Sequence, residues 1–418
     1  MIPGVSDVQH VFIIGSKSIG QYGGYETFVN KLTEQHEHEP RLRYHIACKA
    51  NGEGCMDETK LSGAQVTARN PKGEAVEFTY HGARAFKIQV PNIGPAVAVY
   101  YDVAATRACL RYCREHQIPH PVFYILTCRI GPFIASLKRR IRKLGGTLYL
   151  NPDGHEWMRS KWSPAVRRYW KYSERAMVKQ ADCVVCDSEN IERYIRQEYG
   201  AMNPRTCYIA YGADLEDVPA QDSEEKYAAW LRTHGLRANE YYLVVGRFVP
   251  ENNYATMIRE YMASGTAFPL ALITNRDEKL SAELERDFGF SRDSRIRFAG
   301  TVYDADLLRR IREGARGYLH GHEVGGTNPS LLEALGSTRV NLLLDVGFNR
   351  EVARDAALYW TKASGSLAAL IDRADALTET EREMMGQSAR ERIRQAYSWP
   401  FIAGQYLDLW LGQEKRPQ

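Results

Sequence analysis

Short apolar runs alternate with longer stretches of helical period along the whole chain. His10–Ile14 (HVFII) predicts a strand, followed by a glycine-rich turn and a helix near Glu26–Gln35. Further strands are predicted at Arg43–Cys48, Val76–Tyr80, Phe86–Val90, Val122–Leu126, Thr147–Leu150, Cys183–Cys186 and Thr206–Ile209. Helical spacing marks Ala98–Glu115, Pro132–Leu144, Pro164–Gln180 and Asn190–Tyr199. The polar, glycine-containing stretch Lys49–Glu74 reads as a long loop. Alternation of this kind builds an α/β domain with a mostly parallel sheet covered on both faces.

A polar segment, Asp214–Lys226, interrupts the pattern, which restarts at Tyr241–Val245. It continues through Leu270–Thr274, Ile296–Ala299, Gly317–His320 and Val340–Leu344, so a second doubly wound domain is expected. Trp399–Leu411 reads as a helix returning to the first domain. The expected division is residues 1–217, 218–397 and 398–418. In open α/β sheets ligands sit beyond the carboxyl ends of the strands, so the loops there are where chemistry is to be sought.

Composition narrows the classes. The 418 residues are 44% hydrophobic and 25% charged, which is globular, and 55 basic against 51 acidic residues give no excess that argues for nucleic acid. The eight cysteines all lie in the first half, and Cys183-Val-Val-Cys186 sits in an apolar run that reads as a strand, which points its two thiols to opposite faces, so reduced cytoplasmic thiols are expected. The chain runs directly into a strand, so no secretory leader is expected. The most apolar window, Ile118–Leu137, carries Pro119, His120, Pro121, Arg129 and Pro132 and is no membrane span.

Four loops carry candidate chemistry. After the first strand, Gly15-Ser-Lys-Ser-Ile-Gly20-Gln-Tyr-Gly23-Gly24-Tyr-Glu26-Thr27 brings backbone and a helix N-terminus close to a ligand, with Gly23 and Gly24 at the helix start. It fits neither the dinucleotide fingerprint nor a P-loop. Gly246-Arg247-Phe-Val-Pro250-Glu251-Asn252-Asn253 follows the first strand of the second domain, and Arg247 offers a rigid fork for phosphate oxygens. Gly325-Gly326-Thr327 feeds a helix N-terminus suited to a diphosphate, and Glu333, one turn on, suits ribose hydroxyls. Asn151-Pro-Asp153-Gly-His155-Glu156-Trp157 packs two carboxylates, an imidazole and an indole into one loop. An acid there can receive a hydroxyl proton and Trp157 can stack on a sugar. The bland alternatives are plain strand-to-helix turns, a surface arginine and a solvated glutamate.

A basic stretch completes the inventory. From Leu137 to Lys179 there are twelve Lys or Arg against three acids, with Lys138, Arg139, Arg140, Arg142 and Lys143 on one helix and several aromatic residues nearby. Such a patch is drawn to anionic lipid headgroups, by about 1 kcal/mol per basic residue near the surface. A sheet-covering helix with a solvated basic face is the simpler reading.

Together, Tyr22-Gly-Gly-Tyr-Glu-Thr27, Ile130-Gly-Pro132, Asp153-Gly-His-Glu-Trp157, Lys161-Trp-Ser163, Val245–Asn253, Gly325-Gly-Thr-Asn-Pro329 and Phe348-Asn-Arg-Glu-Val352 resemble a bacterial glycosyltransferase of the two-domain GT-B type, retaining family 4. The resemblance spans nearly the whole chain and is closest to the rhamnosyltransferase-like subgroup of capsule and group polysaccharides. It implies two Rossmann-like domains facing a cleft, a nucleotide-sugar donor on the second and an acceptor on the first. For the subgroup the donor is dTDP-L-rhamnose and the acceptor a sugar on a polyprenyl diphosphate, at the inner face of the cell membrane, with no nucleic acid and no essential metal. Arg247 matches the diphosphate arginine and Glu333 the second glutamate of the E-x7-E motif. Asn252 stands where a diphosphate-binding lysine is usual, and Gly325 where the first glutamate would be; Glu323 or Thr327 are the nearby substitutes. Asp153 and His155 are the expected catalytic pair with Arg247. Gly23, Gly24, Asn252, Gly325, Gly326 and Thr327 are expected on the donor, and Tyr22, Glu26, Glu156 and Trp157 on the acceptor. Donors carrying UDP or GDP, and a nucleotide-sugar 2-epimerase of the same architecture, remain open.

Overall fold

The computed structural model describes residues 8–21, 23–159, 162–215, 220–324 and 326–413. They form two compact units, one running to Ala210 and resumed from Trp399, the other spanning Tyr211–Ser398.

The first unit holds a nine-stranded sheet: β1 (Gln9–Ile14), β2 (Leu42–Lys49), β3 (Gln65–Arg69), β4 (Ala75–Tyr80), β5 (Ala83–Ile88), β6 (Val122–Leu126), β7 (Thr147–Asn151), β8 (Cys183–Cys186) and β9 (Thr206–Tyr208). Its order is β3-β4-β5-β2-β1-β6-β7-β8-β9. Strands β1, β6, β7 and β8 are almost continuously buried, as a parallel sheet covered on both faces requires. The chain leaves β1 between β2 and β6, so the strand order reverses there and the carboxyl ends of β1 and β6 border the switch point.

One expectation is corrected. The stretch read as a loop, Lys49–Glu74, contains β3, which pairs antiparallel with β4. All five β3 residues are exposed, so this edge strand has no buried face to imprint an apolar alternation on the sequence.

The second unit has β10 (Tyr242–Val245), β11 (Leu270–Ile273), β12 (Ile296–Gly300), β13 (Gly317–His320), β14 (Asn341–Leu344) and β15 (Leu358–Trp360), all parallel, in the order β12-β11-β10-β13-β14-β15. Its switch point lies between β10 and β13. The short strand β15 was not anticipated, and the helix Ala220–His234 starts inside the polar segment.

The helix Trp399–Trp410 belongs to the first unit, as the sequence pattern led us to expect. Its aromatic face explains the return. Tyr406 hydroxyl lies 3.0 Å from that of Tyr124, Trp410 Nε1 donates to Tyr44 hydroxyl at 3.0 Å, and the Phe28 and Tyr406 rings are 5.4 Å apart. Among the described residues no helix is long and apolar enough to cross a membrane, and all eight cysteines are free thiols.

Candidate functional site

In the second unit the two loops at the switch point are knitted together. Asn253 Nδ2 donates to Gly321 carbonyl at 2.8 Å and to Glu323 Oε2 at 3.2 Å, and Glu323 N donates to Glu251 carbonyl at 3.1 Å. A side chain at Gly321 would meet Asn252 carbonyl at 2.4 Å, so only glycine lets the loops approach this closely. Asn349 braces the second loop by donating to His322 carbonyl at 3.3 Å.

Arg247 is exposed just beyond β10, and no described protein group pairs with its guanidinium. Its backbone is held instead. Asn252 is 4% exposed and turns inward to donate its amide to Arg247 carbonyl at 2.7 Å. Asn252 thus shapes the turn that presents the arginine. Thr327 is buried, and Gly325 lies outside the described residues. Asn328 caps the helix Pro329–Ser337 by accepting from Ser330 N at 2.9 Å. Pro329 at the first helical position has no N–H to leave unpaired. Glu333 follows one turn on, with its side chain 43% exposed and an ion pair to buried Arg312 at 2.6 Å. Arg312 carries no sequence motif; a basic residue facing a core from an amphipathic helix was its only signal.

In the first unit the glycine-rich turn leaves β1 at Gly15, whose φ is 120°. A Cβ there would lie 2.4 Å from Leu126 carbonyl, so the turn needs glycine both for conformation and for space. Glu26 Oε1 accepts from Lys17 N at 2.8 Å, closing the turn on itself. Gly24 opens the helix Gly24–Gln35, and Tyr22 lies outside the described residues.

The loop after β7 is built on Asn151, which is buried and accepts from Asp153 N at 2.8 Å. Asp153 and His155 both adopt left-handed backbone, with φ of 60° and 45°, and such backbone is uncommon outside glycine and Asn, Asp or His. His155 packs on Tyr194 with ring centroids 4.1 Å apart, and burial, helped by Lys171, lowers its pKa. It is therefore uncharged at neutral pH. Trp157 Nε1 donates to Tyr194 hydroxyl at 3.2 Å, and the Lys171 ammonium lies 4.6 Å from the indole centroid. Glu156 is engaged by protein groups, accepting from Trp162 Nε1 at 2.9 Å and pairing with Arg159 at 2.5 Å. It braces the loop. Lys161 lies outside the described residues.

The structure adds a pair that the motifs did not flag. Arg129, after β6, donates through Nη1 to Gly15 carbonyl at 3.1 Å and to Asp102 at 3.2 Å. Asp102 is fully buried, and burial, opposed by Arg129, pushes its pKa up to about 6. The sequence signal was an acid inside an apolar helix face. A carboxyl whose native value exceeds its unfolded one favours the native state as it takes up its proton. This group therefore adds stability as pH falls from about 7 toward 4, and the increment is lost as pH rises through 6. In urea melts, the stability gap between wild type and Asp102→Asn is expected to widen in favour of wild type on going from pH 7 to pH 5. A constant gap would exclude this titration.

Residues 8–214, a span just short of half the chain, match a family described as a domain of unknown function, DUF1972. No curated protein sequence matches the chain. Solved structures match over nearly its whole length. The chain aligns with sucrose-phosphate synthase from Thermosynechococcus elongatus at 17% identity and a TM-score of 0.72, covering 97% of this chain and 99% of the other. A glycosyltransferase from Rickettsia africae aligns at 11% identity and 0.69, over 98% and 100%. Anabaena HepE, in complex with UDP, aligns at 13% and 0.65, over 97% and 100%.

The chain has the GT-B fold.

On this GT-B scaffold the basic stretch forms part of the surface of the first unit. Arg139, Arg140, Arg142 and Lys143 are exposed on the helix Gly131–Lys143, whereas Lys138 pairs with Asp182. Phe133 on the same helix is 42% exposed and Tyr172 on the helix Pro164–Gln180 is 58% exposed. Arg168, Arg175 and Lys179 share the exposed face of Tyr172, at helical spacing. Among the described residues no group of three or more His, Cys, Asp or Glu is placed to hold a metal.

Proposed function

We propose that this protein is a retaining glycosyltransferase whose second unit grips a nucleotide-sugar donor and whose first unit carries the acceptor. One observation carries the reading: an exposed arginine with no partner among the described residues sits at the switch point of a Rossmann-like sheet, its turn laced to the loop that opens the Pro329–Ser337 helix. A guanidinium and a helix N-terminus carried on two loops bonded to each other suit a diphosphate.

Glycosyl transfer passes through an oxocarbenium-like state while negative charge grows on the departing diphosphate. Arg247 and the amides around Gly326 and Thr327 stabilise that charge, the task a metal performs elsewhere. Attack on the same face, guided by the leaving phosphate, accounts for retention without the paired carboxylates of glycosidases. Asp153 receives the acceptor proton or anchors the acceptor. His155, uncharged, contacts donor or acceptor, and half-buried Trp157 offers a flat surface to a sugar ring.

The finer reading is transfer of L-rhamnose from dTDP-L-rhamnose to a sugar on a polyprenyl diphosphate, at the cytoplasmic face of the membrane. It is supported by the motif resemblance and by the basic surface with its exposed Phe133 and Tyr172. Thermal-shift screening against dTDP-, UDP- and GDP-sugars tests the donor, because the correct one raises the melting temperature. Acceptor-dependent release of nucleoside diphosphate then tests the reaction. Stabilisation by none of the panel would remove the reading. Replacing Arg139, Arg140, Arg142 and Lys143 by Gln is expected to reduce co-sedimentation with anionic vesicles severalfold. Unchanged co-sedimentation would exclude docking by this helix.

A further inference from the structure

Glu333 sits on the Pro329–Ser337 helix with its carboxylate facing two ways. Oε2 is 2.6 Å from Nη2 of Arg312, whose side chain is 5% exposed, while the glutamate side chain itself is 43% exposed. Arg312 comes from the neighbouring helix Ala305–Glu313, where its backbone carbonyl accepts from Thr338 Oγ1 at 3.0 Å. Nη2 also lies 3.5 Å from Ser330 Oγ, and Nε is buried with no partner among the described residues. A buried guanidinium needs an anion close by, and Glu333 is the carboxylate that pairs with it among the described residues. The consequence runs both ways: the arginine gains its counter-charge, and a long flexible glutamate loses its freedom before any ligand arrives.

We infer that Arg312 is a positioning residue for nucleoside-sugar recognition. It holds Glu333 in one rotamer, occupies Oε2 from the interior and leaves Oε1 to accept from a sugar hydroxyl of a nucleoside diphosphate. The inference rests on the reading of Glu333 as the nucleoside-sugar contact.

The test compares affinity for UDP with that for 2′,3′-dideoxy-UDP, and for dTDP with 3′-deoxy-dTDP, by calorimetric titration of the full chain. In wild type the hydroxyl-bearing member of at least one pair is expected to bind about tenfold more tightly, the scale of one hydrogen bond to a charged group. Glu333→Ala and Arg312→Met should each bring that ratio close to one. The double variant should lose no more, and Arg312→Lys should retain part of the ratio. Where Arg312→Met does not melt cooperatively, Arg312→Gln takes its place. A purely structural arginine would lower the melting temperature and leave the ratio intact, which overturns the inference alone. If Glu333→Ala keeps the ratio, or wild type shows none, the reading of Glu333 falls and the inference with it.

Discussion

Arg247→Ala is expected to lower sugar transfer roughly a hundred- to a thousandfold, the scale seen when one preorganised donor to a developing negative charge is removed. The melting temperature should stay within about a degree of wild type. That contrast follows from the placement of the residue. Its guanidinium is exposed and makes no pair with a described protein group, so truncation breaks no contact and opens no cavity. The turn itself depends on the backbone carbonyl of Arg247 and on Asn252, which the substitution leaves alone. Arg247→Lys should recover only part of the activity, because an ammonium lacks the planar fork that meets two phosphate oxygens at once. A variant that loses activity and stability together would instead point to a structural arginine.

Trp410→Ala is expected to destabilise the first unit by about 3–5 kcal/mol, a large part of what an ordinary domain has to spare. The indole is 3% exposed. It meets the rings of Tyr124, Tyr149 and Tyr406 at 5.3–5.4 Å, and its N–H reaches Tyr44 hydroxyl. Deleting it removes the end of the returning helix from the face made by β2, β6 and β7. Trp410→Phe keeps most of the contact and loses the hydrogen bond, so about 1 kcal/mol is expected from the donor, with a further loss from the smaller ring. Urea midpoints of the three proteins give the ordering. Equal midpoints would mean that the helix contributes nothing to the fold of this unit.

The central strands were legible because a parallel sheet buried on both faces leaves short, uninterrupted apolar runs. HVFII, VFYIL and YYLVV match β1, β6 and β10 to within a residue. The edge was not legible. β3 buries no face and β15 has three residues, so neither imposes a pattern of useful length. The loops that carry chemistry were found because glycine, proline and clustered polar residues follow a strand end. The direction of each side chain was not, since that is decided by packing. Asn252 turns inward to hold the turn, Glu156 is engaged by Trp162 and Arg159, and Glu26 closes its own loop. Asp102, Arg129 and Arg312 carry no motif. They stand out only once a charged group is seen inside the core of a helix-covered sheet.

The most direct test of the account is titration of dTDP and UDP, and separately of the matching nucleosides, into wild type and Arg247→Ala. A diphosphate gripped by this arginine predicts that the variant weakens the tighter nucleotide by tenfold or more, while nucleoside binding stays as it was. Equal nucleotide affinity in the two proteins would contradict it.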